Sequence, residues 1–403
     1  MLKYLFPALC EPALRRYLLE QITSVIGRWV QNITLNILLY DLSKSGLILA
    51  LLNFLLYGPQ LLLSAWVGLK IHANNAKSIM LSVIAISSVL SASLVSWHLL
   101  HGLTTHLIIL FALPIGIISA VELCARQVLL VSCIADRTLI GKAVATNVIV
   151  YNSGRAIGPI IAALSYTQIG PAFGFLIYGA SLCLTYAWVQ GVSVICDTQK
   201  TSVRSCWDDL RRYCACNQEA THHLLTLTCL GLFMGGYQTL VPLVSDRIFH
   251  DTARFTGIFF GCAGTGSFGA AILLSSVWGQ QAAKRWHRFA PWAVTIALAT
   301  LVAVDGVILS ASAFLVIGFN FTFCAVITNA TLQMHCPDNL RGAVTGMYGV
   351  ASGTLPYGGL LAGAFLEALT IGQTFAVLAL LLACSTGAIT LRSHFRRAKR
   401  TSF

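Results

Sequence analysis

Residues 136–159 read DRTLIGKAVATNVIVYNSGRAIGP, and residues 338–359 read DNLRGAVTGMYGVASGTLPYGG. Each stretch opens on an acid, passes a Leu and a Gly (Leu139 and Gly141, Leu340 and Gly342), and runs through Ala-Val into an apolar segment. Further on, Gly158-Pro159 corresponds roughly to Gly358-Gly359, at nearly the same offset. Matching glycines at matching depths are what an internally duplicated helical unit predicts.

Working outward from these stretches, apolar runs of spanning length recur along the chain. A membrane helix needs about 20 mainly apolar residues. Such runs occur at 17–40, 46–68, 79–97, 105–130, 141–166 and 171–194, then at 223–245, 254–278, 290–309, 312–335, 342–366 and 370–391. The longest polar stretch, 197–222, divides them six and six. The expected domains are therefore a six-helix bundle over 1–196, a linker over 197–222, and a second six-helix bundle over 223–403 ending in a basic tail. Within the linker, Ser205 and Asp208 have capping-box spacing, and Trp207, Leu210 and Tyr213 recur at helical intervals. That pattern predicts a short amphipathic helix on the membrane face.

Composition agrees. Charged residues make up 10% of the 403 and apolar ones 57%, against about 25% charged in an ordinary soluble domain. The mean hydropathy is +0.77. The expected fold class is an all-α membrane protein of twelve transmembrane helices in two pseudo-symmetric six-helix bundles. Strands of a membrane barrel are shorter and alternate in polarity, which these runs do not. The net charge of +12 is spread over short loops and forms no nucleic-acid-binding face. The 13 Cys show no disulfide-framework spacing, and the Cys206, Cys214, Cys216, His222, His223 group matches no standard metal site.

Lys and Arg set the orientation. With the N-terminus inside, 20 of the 26 basic residues fall in cytoplasmic segments, and Lys44, Arg247 and Arg254 alone fall in outer loops. Both termini are then cytoplasmic. The run after Lys3 is too short for a cleaved signal and no small-residue cleavage site follows. Arg28, Arg126 and Arg155 lie inside predicted spans.

Several stretches carry a family resemblance: Arg15-Arg16 through Gln21, Gly27 and Trp29; Arg126-Gln127 through Asp136, Leu139 and Asn147 to Arg155 and Gly158-Pro159; and Pro337-Asp338 through Leu340-Arg341-Gly342. In this order they resemble the major facilitator superfamily, in its enterobactin-exporter-like and macrolide-efflux-like branch, over nearly the whole chain. The resemblance implies a bacterial inner-membrane carrier working by alternating access, with Gly158 and Pro159 as a pliant point of the outer gate. It also marks departures. In the loop after the second span the family's acid position holds His72, which bears on gating. Where relatives often have an acid after Gly27, this chain has Arg28.

An ionisable group in the hydrocarbon is costly unless it faces a cavity or a partner, and spacing shows which polar groups share a face. Arg28, Asn32 and Asn36 form one stripe, with Gln21 below them; Asn53 and Tyr57 form another. Glu122 with Arg126, and Tyr151 with Arg155, are spaced as neighbours on their helices. The second half contributes Tyr237, Gln238, Asn320 and Tyr348. These are the candidate substrate-binding residues. The wall is basic and amide-rich in one half and aromatic in the other, which suits a polar anion, since Arg binds carboxylates bidentately.

The chain lacks a phosphate-binding Gly-Lys-Ser/Thr loop and any paired acids or nucleophile–base set, so neither an ATPase nor an enzyme is expected. No cofactor and no resident metal are expected; the partners are a small-molecule substrate and the lipid bilayer, around a monomer. Coupling then falls to an intramembrane acid, Glu122 first and Glu20 second. The expected function is export of an anionic small molecule, a carboxylate-type siderophore or metallophore above all, by proton antiport. Multidrug or macrolide efflux, and ferric-siderophore import on the same fold, are the alternatives.

Overall fold

A computed structural model of the chain describes residues 11–68, 70–134, 139–194, 213, 217–275, 277–303, 306–334 and 341–401. The described residues are helical almost throughout. The first half contains α1 (Pro12–Ser43), α2 (Gly46–Gly68), α3 (Ala73–His101), α4 (Thr105–Ser132), α5 (Ile140–Gln168) and α6 (Pro171–Gln190). The second contains α7 (Gln218–Met234), α8 (Tyr237–Arg247), α9 (Thr252–Ser275), α10 (Val277–Thr300), α11 (Val307–Met334), α12 (Arg341–Ser352), α13 (Leu355–Phe365) and α14 (Ile371–Thr401).

Local chemistry explains the boundaries. Pro12 and Pro171 stand in the first turns of α1 and α6, where a missing N–H does no harm. Thr104 caps α4, its hydroxyl accepting from Leu107 N at 3.4 Å. Lys44 closes α1 in a left-handed conformation (φ 49°), donating its N–H to Tyr40 O at 2.7 Å.

Two spans are broken, which the apolar runs at 223–245 and 342–366 do not reveal. The interruptions fall at Gly235-Gly236, between α7 and α8, and at Gly353-Thr354, between α12 and α13. The breaks pack on each other. A Cβ on Gly235 would meet Leu355 O, and one on Gly358 would meet Leu232 O. Thr354 donates its hydroxyl to Thr228 O at 3.2 Å. Carbonyls freed by a break inside a membrane protein must find such partners.

One expected boundary is corrected. The ninth span is α10, Val277–Thr300, not 290–309. The stretch from Gln280 to Arg288 is polar, so an apolar window starts too late. Arg285 and Arg288 therefore ride, exposed, on the helix instead of in a loop. The amphipathic helix expected around Trp207, and the acids Asp136 and Asp338 that open the two repeated stretches, lie outside the described residues.

Among the described residues, nine segments are long and apolar enough by themselves to cross a membrane. The three remaining spans are α1, α10 and the α12–α13 pair, each diluted by polar or glycine residues. Together they make twelve spans in two six-helix bundles. Basic residues hold the bundle end where the chain starts: Lys77 Nζ donates to Gln190 O and Val192 O, both at 2.8 Å, and Arg16 donates to Gly191 O. These cations satisfy the orphan carbonyls at the α6 C-terminus. We call this the basic side, and the opposite end the far side.

The halves meet toward the far side. Gly257 of α9 lies against Pro159 and Ala163 of α5, and Gly264 against Arg155 O and Ala156. Gly363 of α13 lies against Gly46, Leu47 and Ala50 of α2. One apolar cluster runs through both halves, whereas a second, containing Leu14, Tyr17, Ile71, Met80, Leu129 and Val189, is confined to the first half on the basic side. Among the described residues, these contacts between the halves gather toward the far side.

Candidate functional site

The polar residues foreseen in the spans gather into two clusters. The lower lies inside the first half, between α1 and α4. Arg126 is its hub. Its Nη1 donates to Glu20 Oε2 at 2.8 Å, lies 2.7 Å from Glu20 Oε1, and donates to Gln21 Oε1 at 2.6 Å. Its Nη2 donates to Ser24 Oγ at 2.8 Å and to Glu122 Oε1. Tyr17 donates its hydroxyl to Arg126 O at 3.3 Å. Arg28 closes the cluster with an ion pair to Glu122 Oε1.

Two acids face two guanidinium groups, so the cluster is electrically balanced, which makes its burial tolerable. Spacing alone allows Arg126 to reach out toward the headgroups. Instead it is buried, because four side chains on α1 and α4 (Glu20, Gln21, Ser24 and Glu122) hold its guanidinium inward. Exposure separates the members. The Arg28 side chain is 24% exposed, against 7% for Glu122, 5% for Arg126 and 0% for Glu20. Arg28 sits close to the midpoint of α1 and is the one face of the cluster open to solvent.

The upper cluster surrounds Arg155, close to the midpoint of α5. Arg155 Nη2 donates to Tyr237 OH at 2.9 Å, and the guanidinium lies 5.4 Å from the Trp29 ring centre. Tyr57 and Tyr151 interact with it electrostatically. Asn32 donates to Tyr57 OH at 2.8 Å. Tyr237 belongs to the second half, so its bond with Arg155 joins the halves. Local packing sets this geometry: Gly154 and Gly158 bring α5 onto Val25, Ile26 and Trp29 of α1, where a Cβ on either glycine would collide.

Beyond Arg155 the route is shut by aromatic rings. Trp29 lies 6.4 Å from Phe260, Tyr237 5.8 Å from Phe260, and Phe259 5.1 Å from Phe314. Farther out stands an ionic latch that sequence reasoning missed. Lys44 Nζ lies 3.3 Å from both Asp41 Oδ1 and Asp246 Oδ1. Tyr40 donates to Asp246 Oδ2 at 3.1 Å, Tyr166 to Asp41 Oδ2 at 2.9 Å and Thr252 to Asp246 Oδ1 at 3.1 Å. The signal available was Lys44, one of three basic residues assigned to the outer loops.

Other foreseen residues are placed differently. Asn53 donates to Asn36 Oδ1 at 2.8 Å and to Leu49 O at 3.1 Å, and Asn36 donates to Asn32 O at 2.7 Å. Both side chains are buried between α1 and α2. Asn320 accepts from Trp286 Nε1 at 3.1 Å and donates to Val316 O at 2.8 Å, tying α10 to α11. Gln238 is half-buried in the first turn of α8, and Tyr348 is half-buried on α12. Pro159 lies within α5 at the contact with Gly257. His72 is exposed before α3, its N–H donating to Asn75 Oδ1 at 2.7 Å. Tyr151 is 40% exposed.

Guanidinium groups thus stand at mid-depth beneath an aromatic and ionic closure. Comparisons with known proteins bear on the fold and the family. A point mutant of the nucleoside transporter NupG superposes with a TM-score of 0.72 at 13% identity, over 94% of this chain and 99% of that one. A bacterial homolog to the human lysosomal transporter Spinster, inward-facing and unoccupied, does so with a TM-score of 0.67 at 12% identity, over 95% and 96%. A Staphyloferrin A transporter of Staphylococcus aureus (strain NCTC 8325 / PS 47) is 23% identical over 371 residues, 90% of this chain and 91% of that one. Residues 6–402 match the family described as transmembrane secretion effector, MFS_3. The chain therefore belongs to this family of multi-pass transporters, within the major facilitator superfamily.

Proposed function

We propose that the chain is a secondary transporter for a polar, anionic small molecule, of the carboxylate-type siderophore or metallophore class, working by alternating access in the bacterial inner membrane. The observation that carries this reading is Arg28: a guanidinium at mid-depth, partly exposed, at the edge of an otherwise buried cluster. Arg155, bonded to Tyr237 and lying against Trp29, is the second anchor. The remaining binding residues are Asn32, Tyr57, Tyr151, Tyr237, Gln238 and Tyr348. Asn36, Asn53 and Asn320 support the walls. The siderophore class is favoured by likeness to the Staphyloferrin A transporter.

The basic side is taken as cytoplasmic, because Lys and Arg accumulate on inner loops. The far side, where the described halves meet, is then the outer side, and the latch of Lys44, Asp41 and Asp246 is the outer gate. Gly158 and Pro159 lie where α5 meets both α1 and α9, the place for a helix that must rock between two packings. The carrier is read as a monomer of two six-helix units, 1–196 and 223–403, on either side of the 197–222 linker.

Direction has a second reading. The family description as a secretion effector favours export, for which proton antiport through Glu122 is the coupling expected from sequence. Drug efflux is less favoured, since the exposed wall charge is positive and many such compounds are cations. The test compares metabolites in cytosol and medium with and without the gene, in iron-poor and iron-rich growth. A carboxylate metallophore that builds up inside the deletion strain supports export; loss of its uptake supports import. Changed drug tolerance with no carboxylate effect overturns the anion reading.

A further inference from the structure

We propose that binding of an anion to Arg28 is accompanied by protonation of Glu122, so that the cavity takes up the anion and a proton together. The inference rests on the anion reading above and adds the sign of the coupling.

The argument begins with the partners of the two acids. Both oxygens of Glu20 lie within 2.8 Å of Arg126 Nη1, and its side chain is wholly buried. Glu20 is thus the counter-ion nearest Arg126 Nη1. Glu122 is different. Its Oε1 is shared by Arg126, Arg28 and Ser24. With Arg126 already matched by Glu20, the charge that balances Glu122 is Arg28, and Arg28 is the member of the cluster that a ligand can reach.

A ligand carboxylate that pairs with Arg28 therefore competes with Glu122 for the same guanidinium. If Glu122 stayed ionised, three carboxylates would face two guanidinium groups in a cluster whose other members are buried. A proton on Glu122 restores the balance. Glu122 Oε2 or Oε1 gains the proton from solvent, the Arg28–Glu122 ion pair opens, and Arg28 keeps all its N–H groups for the ligand. No other atom changes hands. The freed acid has a neutral neighbour in Ser24, 3.4 Å from Oε1.

Among the described residues the other acid of the cluster is Glu20, both of whose oxygens lie against Arg126. From α1 the ionisable side chains near Glu122 are Tyr17, Glu20 and Arg28; from α4, Arg126; from α6, Tyr178. α2 carries no charged residue, α3 has only Lys77, His98 and His101 near its ends, and α5 has Lys142 and Arg155. A water-sized polar cavity lined by Gln31, Ser87, Ser119 and Tyr178 lies on the same side of α4, with Ser119 one turn before Glu122. It offers a place for the water that hands over the proton.

By linkage, each ligand raises the affinity for the other. In a cycle driven by protons through Glu122, anion and proton then move in the same direction, the reverse of the exchange expected from sequence.

The test needs no natural ligand. Arg28→Gln removes the charge that a bound anion would neutralise, so it mimics the occupied site. The full chain in lipid nanodiscs at pH 7 is examined by difference infrared spectroscopy. Arg28→Gln is expected to show a carboxylic acid carbonyl band that is absent from wild type, from Arg28→Lys and from the Arg28→Gln/Glu122→Gln double variant. Absence of the band in Arg28→Gln, or its persistence in the double variant, overturns the proposal. Citrate binding to wild type supplies the second measurement, and serves alone if Arg28→Gln does not fold. One proton is expected to be taken up per citrate, with affinity rising about tenfold per unit fall in pH. Citrate binding without proton uptake overturns the coupling and leaves the anion reading standing. A protonated Glu122 in Arg28→Gln, with no carboxylate bound by wild type at any pH, overturns the anion reading instead.

Discussion

Lys44 Nζ lies 3.3 Å from Asp246 Oδ1, joining the loop after α1 to the end of α8 and so the first bundle to the second. The same ammonium is 3.3 Å from Asp41 Oδ1, and Tyr40 and Tyr166 donate to the two carboxylates. A carrier that opens on the far side must break this set. Lys44 is about half exposed, so the ion pair itself contributes little, about 0.2–1 kcal/mol. Lys44→Ala should shift the balance of states toward far-side opening by about 1.4- to 5-fold. Distances between spin labels on the far-side loops measure this. The shift should shrink in high salt, where wild type already loses part of the attraction.

The glycine face of α9 contributes more. A Cβ on Gly264 would meet Ala156 Cα at 2.6 Å and Arg155 O at 2.6 Å, both backbone atoms that cannot turn aside. Gly264→Val should therefore push α5 and α9 apart, with overpacking costing about 1–3 kcal/mol. The same label distances should show the far side mostly open, and transport should fall with that shift. Gly346 and Gly349 are the control. Nothing lies within 4 Å of a Cβ at either position, and Gly349→Ala should leave the distances unchanged.

Helix type and span number were legible because lipid demands long apolar runs, and most runs agree with the helices to within a few residues. The broken spans were not legible. An apolar window cannot see a break at Gly235-Gly236, since glycines keep the hydropathy high. The late start read for α10 has the opposite cause, a helix whose first turns carry Gln and Arg. For the site, helical spacing put Arg28 and Asn32 on one stripe, and Tyr151 beside Arg155, because each pair shares one helix; the structure divides the first pair between the lower and the upper cluster. Spacing could not pair Arg28 with Glu122, Arg155 with Tyr237, or Lys44 with Asp246. Each of those pairs joins different helices, and one helix's periodicity holds no record of its neighbour's rotation.

Asn53 illustrates how a polar stripe can be structural. Its Nδ2 donates to both Asn36 Oδ1 and Leu49 O, so its amide N–H groups are engaged in tying α1 to α2. Interhelical hydrogen bonds of this kind in membranes contribute about 0.6 kcal/mol. Asn53→Ala should lower the unfolding midpoint in detergent slightly while leaving ligand affinity as in wild type. A marked loss of affinity at unchanged stability would place Asn53 in the cavity wall instead.

Arg155 separates charge from shape. Its guanidinium reaches Tyr237 OH at 2.9 Å and lies 5.4 Å from the Trp29 ring centre, a geometry that an ammonium cannot copy because it lacks the planar fork. Arg155→Lys keeps the positive charge at mid-depth and loses the fork. If Arg155 binds the anion bidentately, Arg155→Lys should weaken binding by about tenfold, and Arg155→Ala by more, since hydrogen bonds involving charged groups contribute about 1.5–3 kcal/mol. Tyr237→Phe isolates the other role of the pair. It removes only the bond between the halves, so it should favour far-side opening while leaving Arg155 free to bind. Transport kinetics in vesicles distinguish the two: KM rises in Arg155→Lys, whereas Tyr237→Phe changes chiefly the turnover rate. Equal KM values for wild type and Arg155→Lys would show that the arginine closes the far side without touching the cargo, leaving Arg28 as the sole anion anchor.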